Sequence, residues 1–162
     1  MLVSRYRPIL YLQYLLLFLD LFLNSFSNLM RFENVVLLVL YVIQDVCIIF
    51  AVIVVFLVFF NTYIFQAGLV SILINKFKWT IIVTFIYFVL CVGLHVWEMT
   101  MRWAVDDPTA YIWNDGFRAI FALQKIVSVL YYYFYKRTAL RLGDPRFYEE
   151  SEWVRQEFEK RR

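Results

Sequence analysis

The run VVLLVLYVIQDVCIIFAVIVVFLVFF, residues Val35 to Phe60, decides the fold class of this chain. Its side chains are apolar or aromatic except for two neighbours, Gln44 and Asp45. A helix needs about 20 such residues to cross a hydrocarbon core of about 30 Å. The run is therefore predicted to form a transmembrane helix that carries one acid in its interior.

Three further runs have the length and composition of membrane spans. They are approximately Ile9 to Met30, Trp79 to Trp97 and Phe117 to Tyr135. Hydrophobic residues make up 63% of the 162 residues and the mean hydropathy is +0.66, which excludes an ordinary soluble domain. We predict an all-α membrane protein with four transmembrane helices in one bundle, 1–135, followed by a basic collar and a tail, 136–162.

Basic residues predict the orientation, because loops on the cytosolic side carry an excess of Lys and Arg near the ends of spans. Such residues precede the first and third runs and follow the fourth. They are Arg5, Arg7, Lys76, Lys78, Lys136, Arg137, Arg141 and Arg146. On the opposite side, Asp106 and Asp107 outnumber one basic residue, Arg102. Both termini are therefore predicted to be cytosolic.

The connection between the second and third spans, Asn61 to Lys78, has two open interpretations. It is too apolar for a solvated loop, yet it has no clear helical stripe. It either lies along the cytosolic interface or extends the two flanking helices, with a bend at Gly68. At the start of the fourth span, Asn114 or Asp115 is predicted to cap the helix by accepting from its free amides.

The tail is predicted to contain a short cytosolic helix. Gly143 is typical of a helix end, Asp144 of an N-cap and Pro145 of the first helical position. At about 100 degrees per residue, three apolar side chains of that helix share one face. They are Phe147, Val154 and Phe158. This face either docks a protein partner or folds back onto the cytosolic side of the protein itself.

Three ionisable side chains, which we call the charged trio, lie near the middle of predicted spans: Asp20, Asp45 and Lys125. A charge at the centre of a bilayer costs about 2.5 to 3.5 kcal/mol, so it normally faces a partner or a water-filled cavity. At 1.5 Å per residue, each lies about 15 to 16 Å from the start of its span. We expect Lys125 to contact Asp45 or Asp20 near the midplane, with no open channel beside them.

Two interpretations of the charged trio stay open. The first is a polar lock, an ion pair inside the bundle that fixes the register of the helices. The second is a relay in a small proton- or ion-coupled carrier or channel subunit, because intramembrane carboxylates commonly mark such paths. Four helices are few for alternating access, and the sequence shows no inverted repeat. The pattern favours the polar lock.

No pattern points to catalysis or to a bound cofactor. The chain has no Gly-rich phosphate loop and no serine nucleophile elbow, and its one histidine, His95, cannot build a metal site alone. Glu98 is expected to pair with Arg102 or Arg118. We predict no enzyme activity, no cofactor, no metal and no nucleic-acid partner, with membrane lipids as the surroundings.

Bulky side chains are expected to fill the spaces between the helices. Only four glycines occur, and no Gly-x-x-x-Gly pair provides a seam for close helix approach. A tyrosine cluster follows Lys125 on the fourth span and is predicted to form an aromatic belt at the cytosolic interface. Its members are Tyr131, Tyr132, Tyr133 and Tyr135.

Several polar strings are unusual enough to identify relatives. They are LFLNSFSNL at Leu21 to Leu29, IQD at Ile43 to Asp45, FFNTYIFQAGLV at Phe59 to Val70, LHVW at Leu94 to Trp97 and FYKRTALRLGDPRFYEESEW at Phe134 to Trp153. With these strings the chain closely resembles the transmembrane protein 138 family nearly from end to end. The loop around Asp106 and the first few residues are the more divergent parts.

The resemblance implies a four-span protein that is needed to build the primary cilium. It implies a location in the ciliary membrane or cilium base and in vesicular or vacuolar membranes. It also implies a part in bringing membrane proteins to the cilium, with other ciliary membrane proteins as partners. It assigns no catalytic residue or cofactor, and it gives no role to the charged trio.

Overall fold

The structure is a computed structural model that describes residues 3–27, 33–66, 68, 70–104, 113–147 and 152–160. All of the elements assigned in these ranges are helical, which confirms the all-α class. They are α1 (Val3–Phe26), α2 (Asn34–Phe60), α3 (Tyr63–Gln66), α4 (Val70–Ala104), α5 (Asp115–Leu142) and α6 (Glu152–Glu159), with a 3₁₀ turn at Pro145–Phe147.

Three of the helices in the described ranges are long and apolar enough to cross a membrane. They comprise Tyr6–Phe26 of α1, Asn34–Phe60 and Val70–Ala104. The fourth long helix, α5, has 28 residues, but its interior carries Lys125 and its C-terminal half adds further basic residues. Its hydropathy therefore does not by itself mark it as a span.

The four long helices pack side by side. α4 lies against α5 and α2, and α1 lies against α2 and α5. The centre of this arrangement is aromatic, as the shortage of glycine predicts. The ring of Tyr87 stacks on that of Tyr131 with 4.6 Å between centroids, and Tyr131 contacts Tyr135 at 5.7 Å. All three are fully buried.

The predicted tyrosine belt is therefore wrong for two of its members. Tyr131 and Tyr135 face the core, and only Tyr133 among the four is exposed. The reason is helical periodicity, since residues four apart on α5 share the face that packs against α4. A tyrosine can be buried there because its hydroxyl finds an internal acceptor, as that of Tyr135 does on the carbonyl of Ala51 at 2.9 Å.

The connection between the second and third spans is helical on both sides of a bend. Helix α4 begins at Val70, so residues Val70 to Lys78 extend the third span, as one of the two interpretations predicted. Gly68 has φ of 78°, a conformation that glycine adopts without steric cost. The 35 residues of α4 make it about 52 Å long, so it projects beyond a hydrocarbon core of about 30 Å.

Helix α5 begins and ends where the sequence predicts, but the chain after it does not form the predicted α-helix. The side chain of Asn114 accepts from the amide of Phe117 at 3.1 Å, which confirms Asn114 as the N-cap. The helix ends at Gly143, as expected. Asp144 and Pro145 do not open an α-helix, however: the chain makes a 3₁₀ turn there.

Helix α6 begins later than predicted because Phe147 turns back into the core. The ring of Phe147 is 3% exposed, lies 6.2 Å from that of Phe77, and has the ammonium of Lys76 4.7 Å from its centroid. Phe147 is thus unavailable to a partner. Its burial agrees with the interpretation that the tail face folds back onto the protein itself. The side chains of Val154 and Phe158 lie outside the part of the chain that the structure describes.

Candidate functional site: a polar layer inside the helices

Asp20 lies on α1 with its carboxylate almost fully enclosed. It is 2% exposed. The hydroxyl of Tyr87 on α4 donates to Oδ2 at 2.8 Å, and the hydroxyl of Tyr132 on α5 donates to the same oxygen at 2.7 Å. Hydrogen bonds from two neighbouring helices therefore supply part of the stabilisation that water would otherwise give this acid.

Helix α2 also contributes to the surroundings of Asp20, through Gln44. The side chain of Gln44, itself buried, interacts with this carboxylate. Within the described residues, neither Oδ1 of Asp20 nor Nε2 of Gln44 has a hydrogen bond of normal length. With Tyr87 of α4 and Tyr132 of α5, residues of all four long helices therefore contribute to the surroundings of this one acid.

The expectation that Lys125 contacts Asp45 or Asp20 is wrong. The ammonium of Lys125 donates to the backbone carbonyl of Asn24 and, at 2.7 Å, to the side-chain Oδ1 of the same residue. The side chain of Gln124 donates to Asn24 Oδ1 as well, at 3.0 Å. Asn24 is thus the common acceptor for two neighbouring residues of α5.

The end of α1 explains this choice of partner. Helix α1 ends at Phe26, so Asn24 lies in its last turn, where backbone carbonyls have no partner within the helix. The C-terminal end of a helix also carries partial negative charge, which favours a cation. The span predicted from the sequence ran to Met30, so a helix terminus near Lys125 was not expected.

Asp45 is paired with His95, a partner that the sequence pattern did not predict. His95 on α4 lies 3.0 Å from Oδ1 of Asp45 on α2. The ring of Tyr41 stacks on the imidazole of His95 at 4.0 Å between centroids. A signal was present in the sequence, because His95 was the only histidine and lay in a predicted span opposite one that carries an acid.

Glu98, one turn beyond His95, completes this second group. It accepts from the hydroxyl of Tyr41 at 2.6 Å and from Arg102 at 3.0 Å. The ion pair with Arg102 confirms one of the two predicted partners, and the pair is almost fully buried on the glutamate side. The start of α2 is therefore held against the end of α4 by two successive polar contacts, Asp45 with His95 and Tyr41 with Glu98.

The charged trio consequently divides into three separate contacts and forms no direct triad. A cavity of about 20 Å³ lies beside Lys125, Asn24 and His95, and residues of all four long helices line it. A cavity needs about 10 to 15 Å³ to hold one water molecule, so this volume suits about one. It is far smaller than a hydrated ion path would require.

The arrangement has few chemical uses beyond binding the helices together. In the described part of the chain, no group of three His, Cys, Asp or Glu side chains is placed to hold a metal ion. Cys47 and Cys91 are buried free thiols, and Cys91 accepts a weak hydrogen bond from Gln124 at 3.3 Å. These observations define a multi-pass helical membrane protein in which each residue of the charged trio contacts a residue of a neighbouring helix.

Comparison with known proteins carries the assignment further. The family model described as Transmembrane protein 138 matches residues 37–157. The chain belongs to the transmembrane protein 138 family. A relative of that name from Mus musculus is 53% identical over 155 residues, covering 96% of this chain and 94% of the relative.

Two further relatives extend the agreement across vertebrates. The Transmembrane protein 138 of Xenopus tropicalis is 52% identical over 96% of this chain and 94% of its own length. That of Danio rerio is 46% identical over 98% of this chain and 97% of its own length. No solved structure matches the chain. The family is named as a transmembrane protein and not as an enzyme, and no catalytic activity is indicated.

Proposed function

We propose that this chain is a non-enzymatic, four-span membrane protein that helps to deliver membrane proteins to the primary cilium. Membership of the transmembrane protein 138 family supports the ciliary process. The observation that carries the molecular side is the polar layer: Asp20, Asp45 and Lys125 each have a partner on a neighbouring helix. Such a layer fixes one arrangement of helices, which suits a scaffold that presents constant surfaces to partners.

The proposal includes α5 as the fourth span. Its 28 residues reach about 42 Å, more than a hydrocarbon core of about 30 Å. Lys125, the charge that lowers its hydropathy, is already satisfied by Asn24. A charge that is buried against another helix does not face lipid, so the cost of placing it in the membrane is reduced.

Topology is tested by placing single glycosylation acceptor sites at three positions in an otherwise unchanged chain. The positions are the N-terminus, the 105–112 segment and the C-terminus. With four spans and cytosolic termini, only the acceptor in 105–112 is modified in the endoplasmic reticulum. Modification of both termini overturns the proposed orientation. Modification of one terminus alone overturns the number of spans.

The ciliary role is tested by removing the protein from ciliated cells and restoring it. Loss is expected to reduce the number of ciliated cells and the amount of receptor protein in the ciliary membrane, and the wild-type chain is expected to restore both. A variant with Lys125→Glu, which places like charge beside the negative end of α1, is expected to fail because the helices separate. Normal cilia in cells without the protein would refute the proposal.

A proton- or ion-coupled carrier that uses the membrane carboxylates is the second candidate. The observation in its favour is Asp20 Oδ1, a buried acid oxygen without a normal hydrogen bond among the described residues. The test is flux into liposomes that contain the purified protein, with Asp45→Asn as the comparison. We expect no flux under any pH or ion gradient, and a pH-dependent flux that Asp45→Asn removes would replace the scaffold by a carrier.

A further inference from the structure

A lateral groove lies between α2 and α4, apart from the polar layer. Its cavity has a volume of about 380 Å³, within the range of about 300 to 1,000 Å³ that is typical of small-molecule sites. Val52 and Phe56 of α2 line one wall, and Ile81 and Phe85 of α4 line the other. Phe85 is 66% exposed, so the groove opens on the outer surface of the helices.

The polar groups of the groove are already satisfied by other parts of the protein. Thr84 donates to the carbonyl of Thr80 at 2.6 Å, and the hydroxyls of Thr80 and Thr138 share a hydrogen bond at 2.7 Å. The hydroxyl of Tyr135 donates to a backbone carbonyl of α2. The groove therefore offers a hydrocarbon surface, which excludes a polar ligand in its interior.

The groove also has a defined direction. Because α2 and α4 run antiparallel, Phe59 and Thr80 lie at the end near the α2–α4 connection, and Ile48 and Phe88 lie at the other end. The nine residues from Thr80 to Phe88 span about 12 Å of helix. The groove thus runs from near one membrane boundary toward the bilayer centre, along the direction of a lipid acyl chain.

A positive charge lies at the boundary end. Lys78 precedes Ile81 by three residues and Phe85 by seven, so it shares their face of α4. Its side chain is exposed, and its ammonium lies 5.7 Å from the ring centroid of Trp79. Lysine and tryptophan are residues that occur at the headgroup level of a bilayer.

We propose that this groove binds one acyl chain of an anionic phospholipid, whose phosphate lies at Lys78. The apolar walls accept the chain, and the lysine favours a headgroup with net negative charge. The leaflet concerned is the one on the side of the chain termini. It is the cytosolic leaflet under the orientation proposed above, which is the leaflet that carries anionic lipids.

The composition of the walls favours a lipid over a second copy of this chain. Helices that associate in membranes approach closely through small residues such as Gly, Ala and Ser. The groove is instead lined by branched and aromatic side chains, and its two threonines use their hydroxyls internally. A flexible acyl chain can fill the spaces between such side chains, whereas a rigid helix would rest on the projecting rings of Phe56 and Phe85.

The test uses full-length protein in lipid nanodiscs of phosphatidylcholine with a minor fraction of a photoreactive probe. The probe is phosphatidylserine with a diazirine in one acyl chain, and a matched phosphatidylcholine probe reports the headgroup preference. Crosslinked peptides are identified by mass spectrometry. We expect crosslinks concentrated on the groove residues of α2 and α4, with phosphatidylserine favoured over phosphatidylcholine.

Two variants separate the groove from its charged mouth. Val52→Trp fills the groove and is expected to remove most of its crosslinks, whereas Val89→Trp places the same bulk at an exposed position outside the groove and is expected to leave them. Lys78→Glu is expected to lower the preference for phosphatidylserine about fivefold or more, since one basic residue near the surface contributes about 1 kcal/mol. Lys136→Glu changes the charge equally at another exposed site and serves as its control.

Three results would overturn the proposal. Crosslinks distributed evenly around the helices would show ordinary surrounding lipid, and a groove that neither probe labels would show that it holds no acyl chain and is covered by something else, such as a second copy of the chain. Groove crosslinks without any headgroup preference would remove Lys78 from the site. None of these outcomes depends on the ciliary role or on the glycosylation test of topology, so failure of the lipid site is distinguishable from failure of the proposed function.

Discussion

The carboxylate of Asp20 accepts from two tyrosine hydroxyls, while Lys125 donates to the last turn of α1. Both charges are thus met by dipoles and neutral groups. Asp45 alone of the trio has an ionisable partner, His95. At the scale of residues, Asp20 joins α1 to α4 and α5, Lys125 joins α5 to α1, and Asp45 joins α2 to α4, so the three charges act through separate contacts.

Removing one donor from Asp20 is expected to destabilise the protein measurably. Tyr87→Phe keeps the stacked ring but deletes the hydroxyl that reaches Oδ2. An acceptor that loses a buried partner costs about 1 to 3 kcal/mol. The measurement is thermal unfolding in detergent. Unfolding is monitored by the reaction of Cys47 and Cys91 with a fluorogenic maleimide, since both thiols are buried in the folded state.

The matched control for this change is Tyr133→Phe, which removes an identical hydroxyl from an exposed position. It is expected to alter the free energy of unfolding by less than about 0.5 kcal/mol, as is usual for surface substitutions. Equal losses for Tyr87→Phe and Tyr133→Phe would show that the hydrogen bond to Asp20 has no net value.

The contact between Asp45 and His95 is expected to appear as an energetic coupling. The cycle combines Asp45→Asn with His95→Gln, and residues in direct contact typically couple by about 0.5 to 3 kcal/mol. Arg118→Gln is the control partner for Asp45→Asn, because Arg118 pairs with Asp115 at the exposed start of α5. Additive effects of Asp45→Asn and His95→Gln on stability would contradict the contact.

At the scale of elements, helix ends decide most of the contacts that matter. The end of α1 supplies the carbonyl that receives Lys125, and Asn114 begins α5 by capping its amides. The other end of α5 packs against the start of α1: the hydroxyl of Tyr6 donates to the carbonyl of Ala139. Helix α1 is therefore tied to α5 near both of its own ends.

The close approach at the end of α5 gives a prediction about two glycines. A Cβ on Gly143 would lie 2.8 Å from Cε1 of Tyr6, whereas a Cβ on Gly93 would have no atom within 4 Å. Gly143→Ala is expected to lower stability by about 1 to 3 kcal/mol, the usual cost of overpacking. Gly93→Ala is expected to raise stability by up to about 1 kcal/mol, because alanine favours a helix interior.

Thermal unfolding of the two glycine variants under identical detergent conditions checks both signs. Tyr6→Leu combined with Gly143→Ala makes room for the added methyl group, so part of the loss is expected to be recovered relative to Gly143→Ala alone. A stable Gly143→Ala variant would show that Tyr6 moves aside freely and that the contact does not hold α1 against α5.

At the scale of the whole molecule, the 3₁₀ turn after α5 closes one end of the helices. Phe147 fills a space beside Phe77 and under Lys76. This turn belongs to the packed body of the protein, although it lies beyond the end of the fourth long helix. A boundary drawn at residue 135 therefore cuts through structure that is continuous in space.

Two truncations are expected to differ sharply in stability. Deleting 145–162 removes Phe147, and loss of a buried phenylalanine typically costs about 3 to 5 kcal/mol. Deleting 148–162 keeps Phe147 and is expected to leave the unfolding temperature nearly unchanged. Equal loss of stability in both truncations would show that residues beyond Phe147 contribute to the fold.

The shorter deletion is also the valid test of the tail as a docking element for ciliary membrane proteins. Partners recovered with the full chain from ciliated cells by proximity labelling are expected to decrease when 148–162 is absent. If recovery is unchanged, α6 has no part in binding, and the partner surface belongs to the helices of the membrane body. The longer deletion cannot answer this question, because it also disturbs the core.

The sequence by itself determined the all-helical class, the three strongly apolar helices, a cap at either Asn114 or Asp115, and the family. These features depend on local composition and on a rise of 1.5 Å per residue, both of which are properties of one stretch of chain. Residue types also showed that Glu98 had Arg102 within one turn.

Only the tertiary structure decided which atoms meet across helices. Whether Lys125 reaches a carboxylate or a carbonyl depends on where α1 ends and how α5 is rotated, and a shift of one residue turns a side chain by about 100 degrees. For the same reason His95 proved to be the partner of Asp45, and Tyr131 and Phe147 proved to be core. The distance of a residue along its helix follows from the sequence, whereas the direction in which its side chain points is set by the packing of neighbouring helices.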